Sequence, residues 1–249
     1  MSGHSKWATI KRKKGKADAE RGRTFTRLIK EITIVARDGG GDPDANPRLR
    51  TAILAAKAAN MPQDNITRAI KKGTGELPGV TYVDVTYEGY GVNGVAVFLS
   101  VLTDNKNRTV AELRHTFSKY GGNLGENGCV AWMFDNTGVI TVETSVCDED
   151  TLMEIVLEAG ASDMSNQGDV YEIITAPSDL EQVRSAIEAK SIPMVSAELT
   201  MIPQNTVKLN EKQAEKMLKM YEELEEHDDV QKVYANFDID DSIMEKLLG

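Results

Sequence analysis

The hydrophobic period of this chain changes once, near residue 76, and that change limits what the chain can fold into. Before it, apolar residues recur at the three-to-four spacing of amphipathic helices. After it they alternate, as in half-buried strands, with further helical stretches between. The charge reverses at the same place. Residues 1–76 hold 17 Lys and Arg against 8 Asp and Glu, a net of +9, while residues 77–249 hold 12 against 31, a net of −19. The overall −10 therefore averages a basic helical module and an acidic body. Basic surface attracts phosphate by Coulomb force and counterion release, and acidic surface repels it.

A chain of 249 residues has room for two or three domains with real cores, and 41% hydrophobic content is ordinary for a globular protein. The longest apolar run, residues 95–102, is interrupted by Ser100 and falls short of the ~20 residues a membrane helix needs. The first residues show no apolar signal region. Two cysteines, Cys129 and Cys147, with no CxxC spacing, suit a reducing compartment and argue against a disulfide scaffold or a zinc ribbon. The expectation is a cytoplasmic protein with no membrane partner.

Within the basic module, residues 5–16 hold six cations (Lys6, Lys11, Arg12, Lys13, Lys14 and Lys16) and no acid. Such a block repels itself. Its one aromatic, Trp7, is placed either to stack on a base or to pack back with Ile10. A helix is predicted over 23–37, with Phe25, Leu28, Ile29, Ile32, Val35 and Ala36 in one stripe at ~100° per residue. Arg23, Arg27, Lys30 and Arg37 fall within an opposite arc of roughly 80°, broken by one apolar residue, Ile34. The glycines at 39–41 end the helix. Asn46-Pro47 opens a second helix, to about residue 59, with Arg48, Arg50 and Lys57 along it. A third helix starts near Pro62 and ends at Lys71-Lys72-Gly73; it carries Arg68. Its two terminal lysines either complement the helix dipole or meet phosphate. Three short basic helices allow helix-turn-helix geometry, but no base-reading set can be picked out.

In the acidic body, residues 81–88 and 94–103 alternate as strands. Between them Gly89-Tyr-Gly-Val-Asn-Gly94 matches GxGxxG, yet a strand follows where a dinucleotide site needs a helix, and Asn93-Gly94 signals a hairpin. A helix over 104–120 and a strand over 129–134 follow. Residues 138–202 then read β-α-β-β-α-β, the ferredoxin-like unit. A helix over 210–226 and a strand over 230–237 complete the set. The expected architecture is α+β and multidomain: a three-helix basic domain at 1–76, a discontinuous α+β domain at 77–135 and 203–249, and a ferredoxin-like domain at 136–202 inserted into it. The two α+β domains are expected to share the ferredoxin-like plan.

The chain offers few residues arranged for catalysis. His4, His115 and His227 match no metal or triad spacing. There is no GxxxxGK[ST] loop and no GxSxG elbow, and Cys129 falls in the predicted strand as a buried, inert thiol. No catalytic residue, metal, cofactor or small-molecule substrate is evident. Two polar runs stand out. Residues 103–109 read either as a turn with a helix cap or as a second contact surface through Asn105, Asn107 and Arg108. Residues 222–229 hold six carboxylates; they lack EF-hand order, and acids at a helix C-terminus oppose its dipole, so something other than the helix requires them.

Several long strings resemble the YebC/PmpR family: Gly3-His-Ser-Lys-Trp7, residues 42–50, residues 60–73, Tyr87-Glu-Gly-Tyr-Gly91, residues 102–109 and residues 228–234. Together they run the length of the chain. Val92-Asn93 stands where a proline-containing turn is usual, and Arg12 where histidine is common. The resemblance implies three domains, no enzyme activity and no cofactor. Some members of that family are described as DNA-binding transcriptional regulators. Others, including the mitochondrial translational activator of cytochrome c oxidase subunit I, look like ribosome-associated factors. The expected partner is therefore nucleic acid, either DNA or ribosomal or transfer RNA, with the ribosome as the second reading. The expected contacts are Lys6, Trp7, Lys11, Arg12, Lys13, Lys14, Lys16, Arg23, Arg27, Lys30, Arg37, Arg48, Arg50, Arg68, Lys71 and Lys72.

Overall fold

The computed structural model describes residues 17–248; the basic block over 5–16, with Lys6, Trp7, Lys11, Arg12, Lys13, Lys14 and Lys16, lies outside the described residues. The chain opens with α1 (Ala17–Gly39), α2 (Pro47–Ala58) and α3 (Gln63–Gly73). Helix α1 begins before residue 23, through an Ala- and Glu-containing turn, and stops where Gly40 adopts a left-handed φ of 88°. Asn46 caps α2 by accepting from the Leu49 amide at 3.1 Å, with Pro47 at the first helical position. The same side chain donates to the carbonyls of Val35 and Gly40, at 2.8 and 2.9 Å, so one residue starts α2 and satisfies the end of α1. Ile32, Val35 and Ala36 pack with Leu49, Ala56, Ile66 and Ala69 into the module's core. The end of α3 approaches α1 closely: a Cβ on Gly73 would lie 2.4 Å from the Thr33 carbonyl oxygen.

The next layer starts with the hairpin of β1 (Val83–Tyr90) and β2 (Ala96–Thr103). Its turn contains Asn93 at φ 59° and Gly94 at φ 76°, the left-handed pair a two-residue turn of this hand requires. The GxGxxG run is therefore hairpin, not a helix-opening phosphate loop. Helix α4 (Lys106–Lys119) and the short β3 (Asn123–Leu124) follow. After the inserted segment come β8 (Val207–Lys208), α7 (Glu211–Glu226), β9 (Val230–Ala235), β10 (Phe237–Asp238) and α8 (Asp241–Leu248). The main sheet has the order β3-β1-β2-β9, antiparallel throughout. Val97, Leu99 and Val101 of β2 meet Leu113 and Phe117 of α4 and Met217, Tyr221 and Leu224 of α7 in one buried cluster.

The inserted segment contains β4 (Phe134–Glu143), α5 (Glu149–Glu158), β5 (Asp163–Asn166), β6 (Val170–Thr175), α6 (Leu180–Ala189) and β7 (Ser196–Pro203). Its antiparallel order β5-β6-β4-β7 is that of the ferredoxin-like unit. Ile140, Val142 and Ile173 pack against Leu152, Val156, Val183 and Ile187. Trp132–Asn205 form one compact unit; the helical module and the interrupted layer together form the other. Among the described residues, no helix is long and apolar enough to cross a membrane.

The strand predicted over 129–134 is replaced by an irregular turn and a 3-10 turn at Ala131–Met133. The amides of Gly128, Val130 and Ala131 donate to the Glu88 carboxylate at 2.7, 2.8 and 2.8 Å, so they are satisfied without a neighbouring strand. Burial would raise the pKa of Glu88; the three amide bonds outweigh it and hold the carboxyl below its ordinary range. Cys129 consequently sits half-buried on a turn, and burial together with Glu88 pushes its thiol pKa up.

Candidate nucleic-acid interface

Helix α1 buries two faces. The apolar stripe packs on α2 and α3, and the opposite, basic arc packs on the acidic layer. Lys30 lies at the centre of that second contact, only 6% exposed. Its ammonium donates to Asp229 Oδ1 at 2.7 Å and to the carbonyl of Asp228 at 2.9 Å, and lies 5.5 Å from the ring centroid of Tyr82. Arg27 donates to the Glu225 carbonyl, Arg23 pairs with Glu226 at 3.2 Å, and Arg37 donates to the Tyr82 carbonyl and to Asp38. Ile34, the apolar residue inside the arc, is buried at 4%. An exterior facing solvent has no use for a buried isoleucine; a docking face does. Lys30 is therefore corrected from a phosphate-facing cation to an internal one, and Arg23, Arg27 and Arg37 all have protein partners.

Asp229 organises the receiving side. It is 3% exposed and accepts from Lys30, from Thr109 Oγ1 at 2.7 Å, from Arg108 Nη2 at 2.9 Å and from Thr103 Oγ1 at 3.2 Å. Burial alone would raise its pKa, but the bonds from Lys30, Thr109 and Arg108 outweigh that and hold the carboxyl well below the usual carboxylate range. Its backbone amide donates to Nδ1 of His227, whose Nε2 meets Glu112 at 2.9 Å, so His227 has a structural role.

These contacts account for the acids at the end of α7. Glu223 accepts from Thr116 at 3.2 Å and from Tyr120 at 2.9 Å, and pairs with Lys119. Glu226 and Asp229, with the backbone of Glu225 and Asp228, receive α1. The segment opposes its own helix dipole because it serves a neighbouring helix. The 103–109 run is occupied in the same way. Asn105 caps α4 by accepting from the Arg108 amide at 3.1 Å, and Arg108 bridges Asp104 and Asp229. Of the three residues named for a second contact, Asn107 alone has its side chain outside this network; it is exposed.

What remains open to a polyanion is on α2 and α3. Residues 47–73 hold six cations and one acid, Asp64. Arg48, Arg50, Lys57, Arg68, Lys71 and Lys72 are all exposed, and among the described residues none of them forms an ion pair. Arg50 and Lys57 are seven residues apart, on one side of α2, with exposed Leu54 between them. Arg68, Lys71 and Lys72 share one side of α3 at three- and four-residue spacing. Lys57, which the sequence places along this helix with Arg48 and Arg50, is exposed on the same side as Arg50 although it is absent from the expected contacts.

Two family models match the chain. The description "TACO1/YebC protein N-terminal domain" covers residues 5–76, and "TACO1/YebC second and third domain" covers 82–237. The chain belongs to the TACO1/YebC family. One TACO1/YebC relative, from Syntrophus aciditrophicus (strain SB), is 61% identical over 248 residues, covering 99% of each chain. Another, from Desulfatibacillum aliphaticivorans, is 63% identical over 246 residues, covering 98% of this chain and 100% of its own. Both are named "Probable transcriptional regulatory protein". The fold is similar to the crystal structure of the conserved hypothetical protein Aq1575 from Aquifex aeolicus, with a TM-score of 0.81 and 48% identity over 90% of this chain and 93% of that one. TACO1/YebC architecture here is a three-helix N-terminal module and two four-stranded antiparallel sheets with helices.

Proposed function

We propose that this chain is a non-enzymatic, nucleic-acid-binding regulator of gene expression. It engages the phosphate backbone through Arg50, Lys57, Arg68, Lys71 and Lys72, with Arg48 beside them and the basic block at 5–16 as an added arm. The supporting observation is a division of labour among cations. Of those on α1, Arg23 and Lys30 pair with acids of the sheet layer and Arg27 and Arg37 donate to backbone carbonyls there, whereas those of α2 and α3 are exposed and without ion pairs among the described residues. Relatives named as transcriptional regulators favour duplex DNA as the target. Exposed Lys and Arg gain affinity by releasing condensed counterions, which binds backbone without reading bases. If five cations each meet one phosphate, log affinity falls with log salt at a slope of about −4.5 on duplex DNA, before any arm contribution.

Anisotropy titrations of the full chain against a duplex and against purified ribosomes, each at two salt concentrations, test this reading. Salt-sensitive duplex binding supports it. Tight ribosome binding with negligible duplex binding would replace the DNA target with RNA. No salt-dependent binding to either would overturn it.

A further inference from the structure

Where α1 crosses the sheet face there is a cavity of about 340 Å³. It is bounded by α1, the start of α2, and strands β1, β2 and β9. Its floor is apolar: Ile34 and Leu102 are buried at 4% and 6%. Its rim is charged with both signs, through Glu31, Asp84, Arg48 and Lys232, all of them solvent-accessible. Among the described residues no ion pair or side-chain hydrogen bond joins the charged groups of Glu31, Asp84 or Arg48 to a partner. Glu31 and Arg48, of opposite sign, face one cavity without a direct ion pair between them, which leaves both side chains able to meet a ligand. Gln231 adds a donor: its Nε2 is buried on the cavity wall and has no hydrogen-bond partner. Desolvation raises the pKa of Glu31 against the opposing pull of Lys232 and Arg48, and Asp84 adds to the rise. A ligand cation there would relieve that repulsion.

We infer that this cavity binds a small zwitterion with an apolar body, a free amino acid or a dipeptide. The ammonium goes to Glu31 and Asp84, the carboxylate to Arg48 and Lys232, and the apolar body to the Ile34–Leu102 floor. Its volume is at the low end of small-molecule pockets, ~300–1,000 Å³. A simple anion is repelled by the two acids and a simple cation by the two bases, so neither suits the rim as a whole. Because α1 and α2 form one wall and the strands the other, an occupant adds contacts between the helical module and the sheet layer. The site is thus an effector site; it shares Arg48 with the surface proposed to meet phosphate, and its test reads zwitterion binding alone.

Isothermal calorimetry of the full chain tests it with the twenty amino acids and a set of leucine-containing dipeptides. Propionate and ethylamine serve as single-charge controls. At least one zwitterion is expected to bind at one per chain with Kd of about 1 mM or tighter, and neither control to bind measurably. Glu31→Gln and Arg48→Ala should each weaken that binding at least ~10-fold, about 1.4 kcal/mol, while Glu181→Gln in the inserted unit leaves it unchanged. Both cleft positions are exposed, so both variants are expected to keep the fold. If no zwitterion of the panel binds, or if binding survives both cleft substitutions, the inference is wrong.

Discussion

Lys30 Nζ lies 2.7 Å from Asp229 Oδ1, and their side chains are 8% and 4% exposed. This buried pair, 199 residues apart in sequence, docks the basic module on the acidic layer. Removing one member of such a pair leaves an uncompensated buried charge and costs about 3–5 kcal/mol. Asp229→Ala should therefore lower unfolding stability by that amount in urea. Lys30→Met should cost less in the Asp229→Ala background than alone, because the two share one interaction. Additive effects would show that the pair does not couple the two parts.

The pH dependence follows from the same carboxyl. The pKa of Asp229 is depressed in the folded state, so its contribution is fully present above the unfolded value of ~3.9 and declines only as pH falls below it. Stability should hold from neutral pH to about pH 4 and then drop. Asp229→Asn should weaken the chain at pH 7 and flatten the drop below pH 4. An unchanged acid limb in Asp229→Asn, followed by circular dichroism, would contradict this assignment.

Gly73 gives a prediction with an unusual sign. Gly→Ala inside a helix ordinarily stabilises by roughly 0.5–1 kcal/mol. Here the new Cβ would meet the Thr33 carbonyl oxygen at 2.4 Å and the Ala36 Cβ at 2.8 Å, so α3 must move off α1. Gly73→Ala should destabilise by about 1–3 kcal/mol, the usual cost of overpacking. A raised melting temperature would mean that α1 and α3 are not held as described.

Glu88 is a fourth test. Replacing it with Ala leaves three amides without their acceptor around Cys129, at a cost of about 1–3 kcal/mol for each amide that water cannot reach. Iodoacetamide should then label Cys129 faster, since the turn loosens and the carboxylate that helps raise the thiol's pKa is gone. Unchanged labelling would place the restraint on that turn elsewhere.

Short-range chemistry can be read from this sequence and long-range pairing cannot. The Asn46-Pro47 cap, the Asn93-Gly94 turn and the ferredoxin-like order of the insert depend on neighbours within a few residues or on regular alternation, and each occurs as expected. The strand predicted over 129–134 fails because its amides find Glu88, some forty residues upstream, which no local pattern announces. Lys30 within the basic arc of α1 is internal for the same reason: periodicity identifies a face but not what covers it. Two signs of the docking are present in the sequence, Ile34 within the arc and the acids at the end of α7. Each is ambiguous alone. Their complementarity becomes apparent only when the fold brings residues 23–37 against residues 225–229.

Which basic face meets nucleic acid, α1 or the α2–α3 surface, is decided by one measurement. The measurement is the salt dependence of duplex binding for Arg68→Ala/Lys71→Ala/Lys72→Ala and for Arg23→Ala/Arg37→Ala, against the unaltered chain. Each lost phosphate contact removes about one from the slope of log affinity against log salt. The triple variant should therefore lose about three from that slope and the double variant close to none. A double variant that loses affinity and slope, beside a triple variant that keeps both, would place the interface on α1 and contradict a phosphate-binding face on α2 and α3.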